Sequence, residues 1–443
     1  MQNKKIGILT TFYRIDPGYS LCAVVIDQLT ALTKHGHSPV LFTLPTFKDE
    51  KLLPEGVEVR KTVPQLILEP YKGLNVPSHW KEDVAKARKL FEMNMGDITD
   101  LIVHDVFFID TYLPYNIALR EADLTCKIYA WTHSAPSDRP TLTDNPHSNR
   151  YTLPPRTKLI YLNHDKLTAL AEMYGAWNND VRVVHNSRDP RTFWNLDPLV
   201  HRLIDGYRLF DADIITVYPV STPRMISGKG LDKVIKIHAK LKSLGYKTKI
   251  IVPNAHANAQ PEQRLISETR VWAAELGIEN DELIFTSQEG REFEMGVNPK
   301  VVSDLFRIAN IFIFPTISEN SSLVLLEAML SGNLLVLNEK VGTLREHAGE
   351  HAIYCNFDYK EKKEDNERYY LDLAKIISAQ FEVNKSLQVK RRALNKFNYD
   401  TIYRSIERVL FEDMSMREEV QPTEGPVDNG TLLLEPVPDQ EEA

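Results

Sequence analysis

The chain has 443 residues, of which 43% are apolar and 26% charged, an ordinary globular make-up with length enough for two cores. Its net charge of −8 sits almost wholly in residues 414–443, where eight acids meet one base, Arg417. The remaining body is near neutral, which excludes a strong general field for nucleic acid or acidic membranes. The three cysteines, Cys22, Cys126 and Cys355, are too scattered for a disulfide framework or a zinc site and predict buried, reduced thiols in a cytoplasmic protein.

In chain order, Ile6–Leu9 predicts a strand, with no apolar leader before it. A helix follows from about Leu21 to Lys34, and Pro39–Thr43 predicts the next strand. Leu101–Val103, Lys127–Ala130, Lys158–Leu162 and Val181–Val184 continue the series. These runs are apolar at successive positions, as in parallel strands buried on both faces. The pattern restarts with a strand at Ile214–Tyr218 and a helix over Leu231–Leu244. Strands at Thr248–Val252, Glu282–Phe285, Ile311–Phe314 and Leu334–Leu337 follow, and a last helix spans Tyr399–Phe411. No apolar run of about 18 residues predicts a membrane span. The Pro-, Glu- and Gly-rich tail from 414 onward predicts disorder.

The segment Ile311 to Gly332 carries the most chemistry. It reads as strand, loop, helix and glycine stop. Glu319 precedes the helix and Glu327 lies within it, with seven residues between them. Asn320, Ser321 and Ser322 stand where the helix opens, suited to capping and to holding an anion on free backbone N–H groups. At ~1.5 Å per residue, Glu327 would lie about 12 Å further along the axis. That span suits a ligand with a central diphosphate, its sugar on Glu319 and its ribose on Glu327. A capped amphipathic helix with an incidental carboxylate is the structural alternative. A carboxylate inside the apolar run Leu323–Leu330 is nevertheless costly unless partnered.

Pro315 to Gly332 resembles the signature of family-4 glycosyltransferases of the GT-B fold. There a loop glutamate and a helix glutamate hold donor sugar and ribose. The usual aromatic and glycine after the first glutamate are replaced here by Asn320, Ser321, Ser322 and Leu323. Arg224 and Lys229-Gly230 are similar to the family's arginine-then-Lys-Gly pattern, whose cations contact the donor diphosphate. Trp131-Thr132-His133 looks like the strand end that carries an active-site histidine, so His133 is expected in the cleft. Gly18, after the first strand, stands where relatives approach the donor, although a plain turn fits equally. Val183 to Asp189 resembles the segment closing the first half, and Arg188 is expected to line the cleft. The polar stretch Ser134–Arg156, with Arg139 and Arg150, is expected on the acceptor side, its alternative being a variable surface loop.

The resemblance implies two facing Rossmann-like domains, residues 1–190 and 213–398, joined by 191–212, with a crossing helix at 399–413 and the acidic tail 414–443. It implies retaining transfer of a hexosyl or pentosyl group from a nucleotide-diphosphate sugar, with Glu319 and His133 at the reacting sugar. No tightly bound cofactor and no metal are expected. Asp211-Ala212-Asp213 mimics a metal-binding pair but directly precedes a strand. The acceptor stays open between a glycan, a lipid-linked sugar, a small molecule and a hydroxymethylated DNA base, the last not indicated by charge. A nucleotide-sugar 2-epimerase and a non-catalytic nucleotide-sugar-binding protein are the other readings.

Overall fold

The computed structural model describes residues 3–136, 144–175, 181–357 and 363–411. The first sheet has seven strands: β1 (Lys5–Leu9), β2 (Ser38–Phe42), β3 (Glu58–Arg60), β4 (Asp100–His104), β5 (Lys127–Trp131), β6 (Thr157–Tyr161) and β7 (Val181–Val183). Its order is β3-β2-β1-β4-β5-β6-β7 and every pairing is parallel. Helices α1 (Ser20–Lys34), α2 (Trp80–Asn94), α3 (Leu113–Glu121) and α4 (Leu167–Tyr174) connect the strands. On α1, Cys22, Val25, Leu29 and Leu32 recur at helical spacing and are buried. Gly7 lets β1 sit tightly against its neighbours: a Cβ there would lie 2.9 Å from both Leu101 and Phe42.

Helices α5 (Pro190–Phe193) and α6 (Pro198–Tyr207) join this sheet to the second one. The second contains β8 (Ile214–Val217), β10 (Thr248–Val252), β12 (Leu283–Phe285), β13 (Ile311–Phe314), β14 (Leu334–Asn338) and β15 (Ile353–Cys355). Its order is β12-β10-β8-β13-β14-β15, again all parallel. Between them run α7 (Leu231–Ser243), α8 (Gln260–Glu275), α9 (Pro299–Ile308), α10 (Leu323–Leu330) and α11 (Gly342–Ala348). Counted from its own first strand, each sheet has the Rossmann order 3-2-1-4-5-6, to which the first sheet adds a seventh strand at its edge. The order therefore reverses between β1 and β4 and between β8 and β13. Crevices open at the carboxyl ends of the strands at such reversals.

Four short strands were not expected from the sequence: β3, β15, and the parallel pair β9 (Val220–Ser221) and β11 (Asn254–Ala255), which extends the loops after β8 and β10. Helices α12 (Lys363–Val383) and α13 (Lys385–Lys396) end the second half. The chain then returns. Helix α14 (Tyr399–Phe411) places Ile402, Tyr403, Ile406 and Leu410 in one apolar cluster with Ile6, Val25, Leu29 and Leu32. Buried Asp189 holds this crossing: its carboxylate accepts the backbone N–H of Tyr399 at 2.9 Å and the guanidinium of Arg191 at 2.6 Å. The acidic tail lies outside the described residues.

Candidate functional site

The loops after β8 and β13 meet at the second sheet's reversal. The first begins at buried Tyr218, whose hydroxyl donates to the carbonyl of Lys229. Its middle is anchored by Asn254, whose amide donates to Thr222 Oγ1 and Ser287 Oγ, both at 2.9 Å. This fixes the turn Thr222–Arg224, from which Arg224 extends into solvent with no ion pair among the described residues. Gly228 and Gly230 take left-handed φ values of 81° and 75°. A Cβ on Gly230 would stand 3.1 Å from Pro315 Cγ, so the two loops approach as closely as glycine permits. The N–H of Ile317 donates to the carbonyl of Gly228 at 3.3 Å and ties them together.

This packing delivers Lys229 to Glu319: Nζ lies 3.0 Å from Oε2 and 3.5 Å from Thr316 Oγ1. Thr343 Oγ1 donates to the Glu319 carbonyl at 2.6 Å, and Asn338 donates to the Thr316 carbonyl at 2.9 Å. Both partners of the ion pair are partly exposed, so it contributes roughly 0–1 kcal/mol. An incoming polyanion can displace Glu319 from Lys229 at small cost.

Ser322 caps α10, its Oγ accepting the Leu325 N–H at 3.2 Å. Its hydroxyl is thus engaged with the helix, whereas Asn320 and Ser321 are exposed ahead of it. Leu323 is 72% exposed and offers an apolar surface beside the cations. Helical geometry begins only at Leu323, which corrects the expected axial separation. Only the four steps from Leu323 to Glu327 are helical, a rise of about 6 Å. Glu327 is half-buried and its carboxylate has no hydrogen bond or ion pair among the described residues; burial raises its pKa above the ordinary glutamate value.

Next to the first sheet's reversal, β4 pairs with β5 so that His104 stands beside Trp131. His133, two residues further on, contacts Nδ1 of His104 through its Nε2 at 2.9 Å. Nε2 of His104 contacts Gln28 Oε1 on α1 at 3.0 Å. Asp105 adopts a φ of 55°, and its carboxylate accepts the His133 N–H at 2.8 Å. Burial drives Asp105 up to about 6 and His133 down to about 4. Gln28, His104 and Asp105 were not singled out from the sequence as site residues. The available signal was two strand candidates, each ending near a histidine.

The other expected residues are dispersed. Gly18 lies in the exposed loop after β1, its N–H bonded to Asp16 at 2.9 Å, with no hydrogen bond to the second half among the described residues. Arg150 corrects the acceptor-side expectation: it is buried, and its guanidinium donates to His147 at 3.2 Å and Tyr151 at 2.5 Å. Arg188 is exposed and lines a cavity of about 850 Å³ with Phe193, Trp194 and Phe397. Arg139 lies outside the described residues. Asp211 and Asp213 engage Arg208 and Arg391, each at 2.6 Å, and so serve the packing of the second half. No group of three or more potential metal ligands occurs among the described residues. No described helix is long and apolar enough to cross a membrane.

No protein-family model matches the chain, and no curated protein matches it in sequence. Its likeness is to solved glycosyltransferase structures. A glycosyltransferase from Rickettsia africae ESF-5 is 12% identical, with 93% of this chain and 98% of that one covered at a TM-score of 0.36. Anabaena HepE in complex with UDP is 16% identical, with coverages of 92% and 99% and a TM-score of 0.32. A UDP-forming trehalose-phosphate synthase from Burkholderia xenovorans is 15% identical, with coverages of 92% and 100% and a TM-score of 0.36.

Proposed function

We propose that the chain is a GT-B-type glycosyltransferase that moves a hexosyl or pentosyl group from a nucleotide-diphosphate sugar to an acceptor hydroxyl. The observation that carries this reading is the meeting of Lys229 and Glu319 at the reversal point of the second sheet. Two loops held by Gly230 and Pro315 bring a cation and an acid together beside the start of a helix. Diphosphate, with its fixed negative charge, is the ligand class that such a corner accommodates.

In the bound state, Lys229 and the free guanidinium of Arg224 hold the diphosphate. Glu319, displaced from Lys229, accepts from the hydroxyls of the sugar. Glu327, with an unengaged carboxylate, accepts from the two ribose hydroxyls. As the bond from the anomeric carbon to the leaving phosphate oxygen breaks, the two cations stabilise the charge that develops there. A new bond forms to the acceptor oxygen, and the acceptor's proton leaves with the departing diphosphate. Reaction on the face of the leaving group retains configuration, and no protein nucleophile is required. We place this reaction in the cytoplasm and without metal, with domain limits at 1–190 and 213–398. The acceptor is a glycan, a lipid-linked sugar, a small molecule or a hydroxymethylated base.

The test is a thermal-shift screen with uridine, guanosine and adenosine diphosphate sugars, followed by product analysis. Stabilisation by one nucleotide class and release of free nucleoside diphosphate support transfer. Interconversion of sugars would establish an epimerase, and binding without turnover a non-catalytic binding protein. Absence of stabilisation by all three classes would overturn the reading.

A further inference from the structure

His133 does not stand alone at the edge of the first sheet. It is the outer member of a row of three side chains, Gln28, His104 and His133, joined by contacts of 3.0 and 2.9 Å. Gln28 and His104 are both buried. The direction of the protons along the row follows from the inner end. An amide oxygen only accepts, so Nε2 of His104 carries a hydrogen. Burial without an anionic partner keeps His104 neutral, which leaves a lone pair on its Nδ1. The hydrogen in the next contact must therefore belong to Nε2 of His133. Burial keeps His133 neutral as well, so its remaining ring nitrogen, Nδ1, carries the lone pair.

We propose that Gln28 and His104 are positioning residues that lock His133 in its Nε2–H tautomer, leaving Nδ1 as the hydrogen-bond acceptor for a substrate hydroxyl in the crevice of the first domain. The tautomer stands on the row itself, whereas the role toward a hydroxyl rests on the glycosyl-transfer reading. Asp105 holds the backbone N–H of His133 rather than its ring, and His104 is the ring's hydrogen-bond partner among the described residues. A ring free to exchange tautomers would present an N–H to the same hydroxyl part of the time and lose that acceptor.

The experiment is two-bond ¹H–¹⁵N NMR on ligand-free protein labelled at histidine, at neutral pH. His104 and His133 are expected to be neutral, both protonated at Nε2 and bare at Nδ1. The side-chain oxygen of Gln28 is the group that sets this pattern. Gln28→Leu removes it, and both rings then populate the other tautomer. A His133 protonated at Nδ1 in the parent protein, which would mean the Gln28 amide is turned round, overturns the proposal. So does a Gln28→Leu spectrum identical to the parent's. In turnover, Gln28→Leu is expected to lower kcat about tenfold while donor affinity stays within about twofold. An unchanged kcat removes the role toward substrate. If no nucleotide sugar binds the parent protein, the transfer reading fails while the tautomer result still stands.

Discussion

Lys229 reaches Glu319 across 90 residues of chain, and their 3.0 Å contact joins the two loops that flank the second sheet's reversal. Because the pair is partly exposed, its removal costs the fold little. Lys229→Ala is expected to shift the melting temperature by no more than a few degrees. Loss of a charged contact to phosphate should weaken donor binding by about 1.5–3 kcal/mol, roughly 10- to 100-fold. Calorimetric titration with the nucleotide sugar identified by screening checks this; unchanged affinity would remove Lys229 from the site.

Glu327 sits half-buried with no partner among the described residues, and burial raises its pKa. An acid whose folded pKa is raised lowers stability as pH climbs through that pKa, because the folded state holds the proton longer. Glu327→Gln is therefore expected to equal or exceed the parent in stability at pH 7–8, with the advantage vanishing in acid. Donor affinity should fall in the same variant. Urea melts at two pH values, run beside a binding titration, separate the two effects.

Gly230 has a φ of 75°, and a Cβ there would press on Pro315 at 3.1 Å. Gly230→Ala is expected to cost about 1–2 kcal/mol from backbone conformation. It should also push the Lys229 loop away from Glu319. The variant remains folded but loses more donor affinity than its small stability loss explains. Equal affinity would mean that the two loops need not touch.

Asp27 accepts the Tyr399 hydroxyl at 3.0 Å, yet burial still pushes its pKa up to about 6. Stability should therefore decline as pH rises from about 4 to about 6 and stay lower above that window. Asp27→Asn keeps an accepting oxygen for Tyr399 and abolishes the ionisation. Its expected gain is roughly 1–3 kcal/mol at pH 8 and nothing near pH 4. Asp105 titrates in the same window, so only part of the slope should disappear.

Ile406 is buried in the cluster shared by α14 and the first sheet. Ile406→Ala is expected to cost about 2–5 kcal/mol. If α14 belongs energetically to the first half, the loss appears in the unfolding of that half. Calorimetry with and without a ligand of the second half assigns the transition.

Much of this architecture was legible along the chain. Runs such as Ile6–Leu9 and Ile311–Phe314 are apolar at successive positions, which suits interior parallel strands, and both form them. The strands β3, β9, β11 and β15, of two or three residues each, were not singled out along the chain, whereas the equally short β7 and β12 were. Glu319 and Glu327 stood out by spacing and residue type, whereas Arg224, Lys229 and Gly230 were carried over from the family resemblance. Arg150 misled, because a polar stretch says nothing about which of its cations turns inward to meet His147 and Tyr151.

Local pattern by itself pointed to two α/β halves, to their longer strands, and to the helices α1, α7, α10 and α14. Tertiary structure alone decided which loops meet. Strand order places β8 beside β13 and β4 beside β5. Those neighbours bring Lys229 to Glu319 and His104 to His133, and their partners lie 90 and 29 residues apart. The return of α14 to the first half was likewise settled by packing, since an amphipathic helix specifies that it must bury a face but not against which surface.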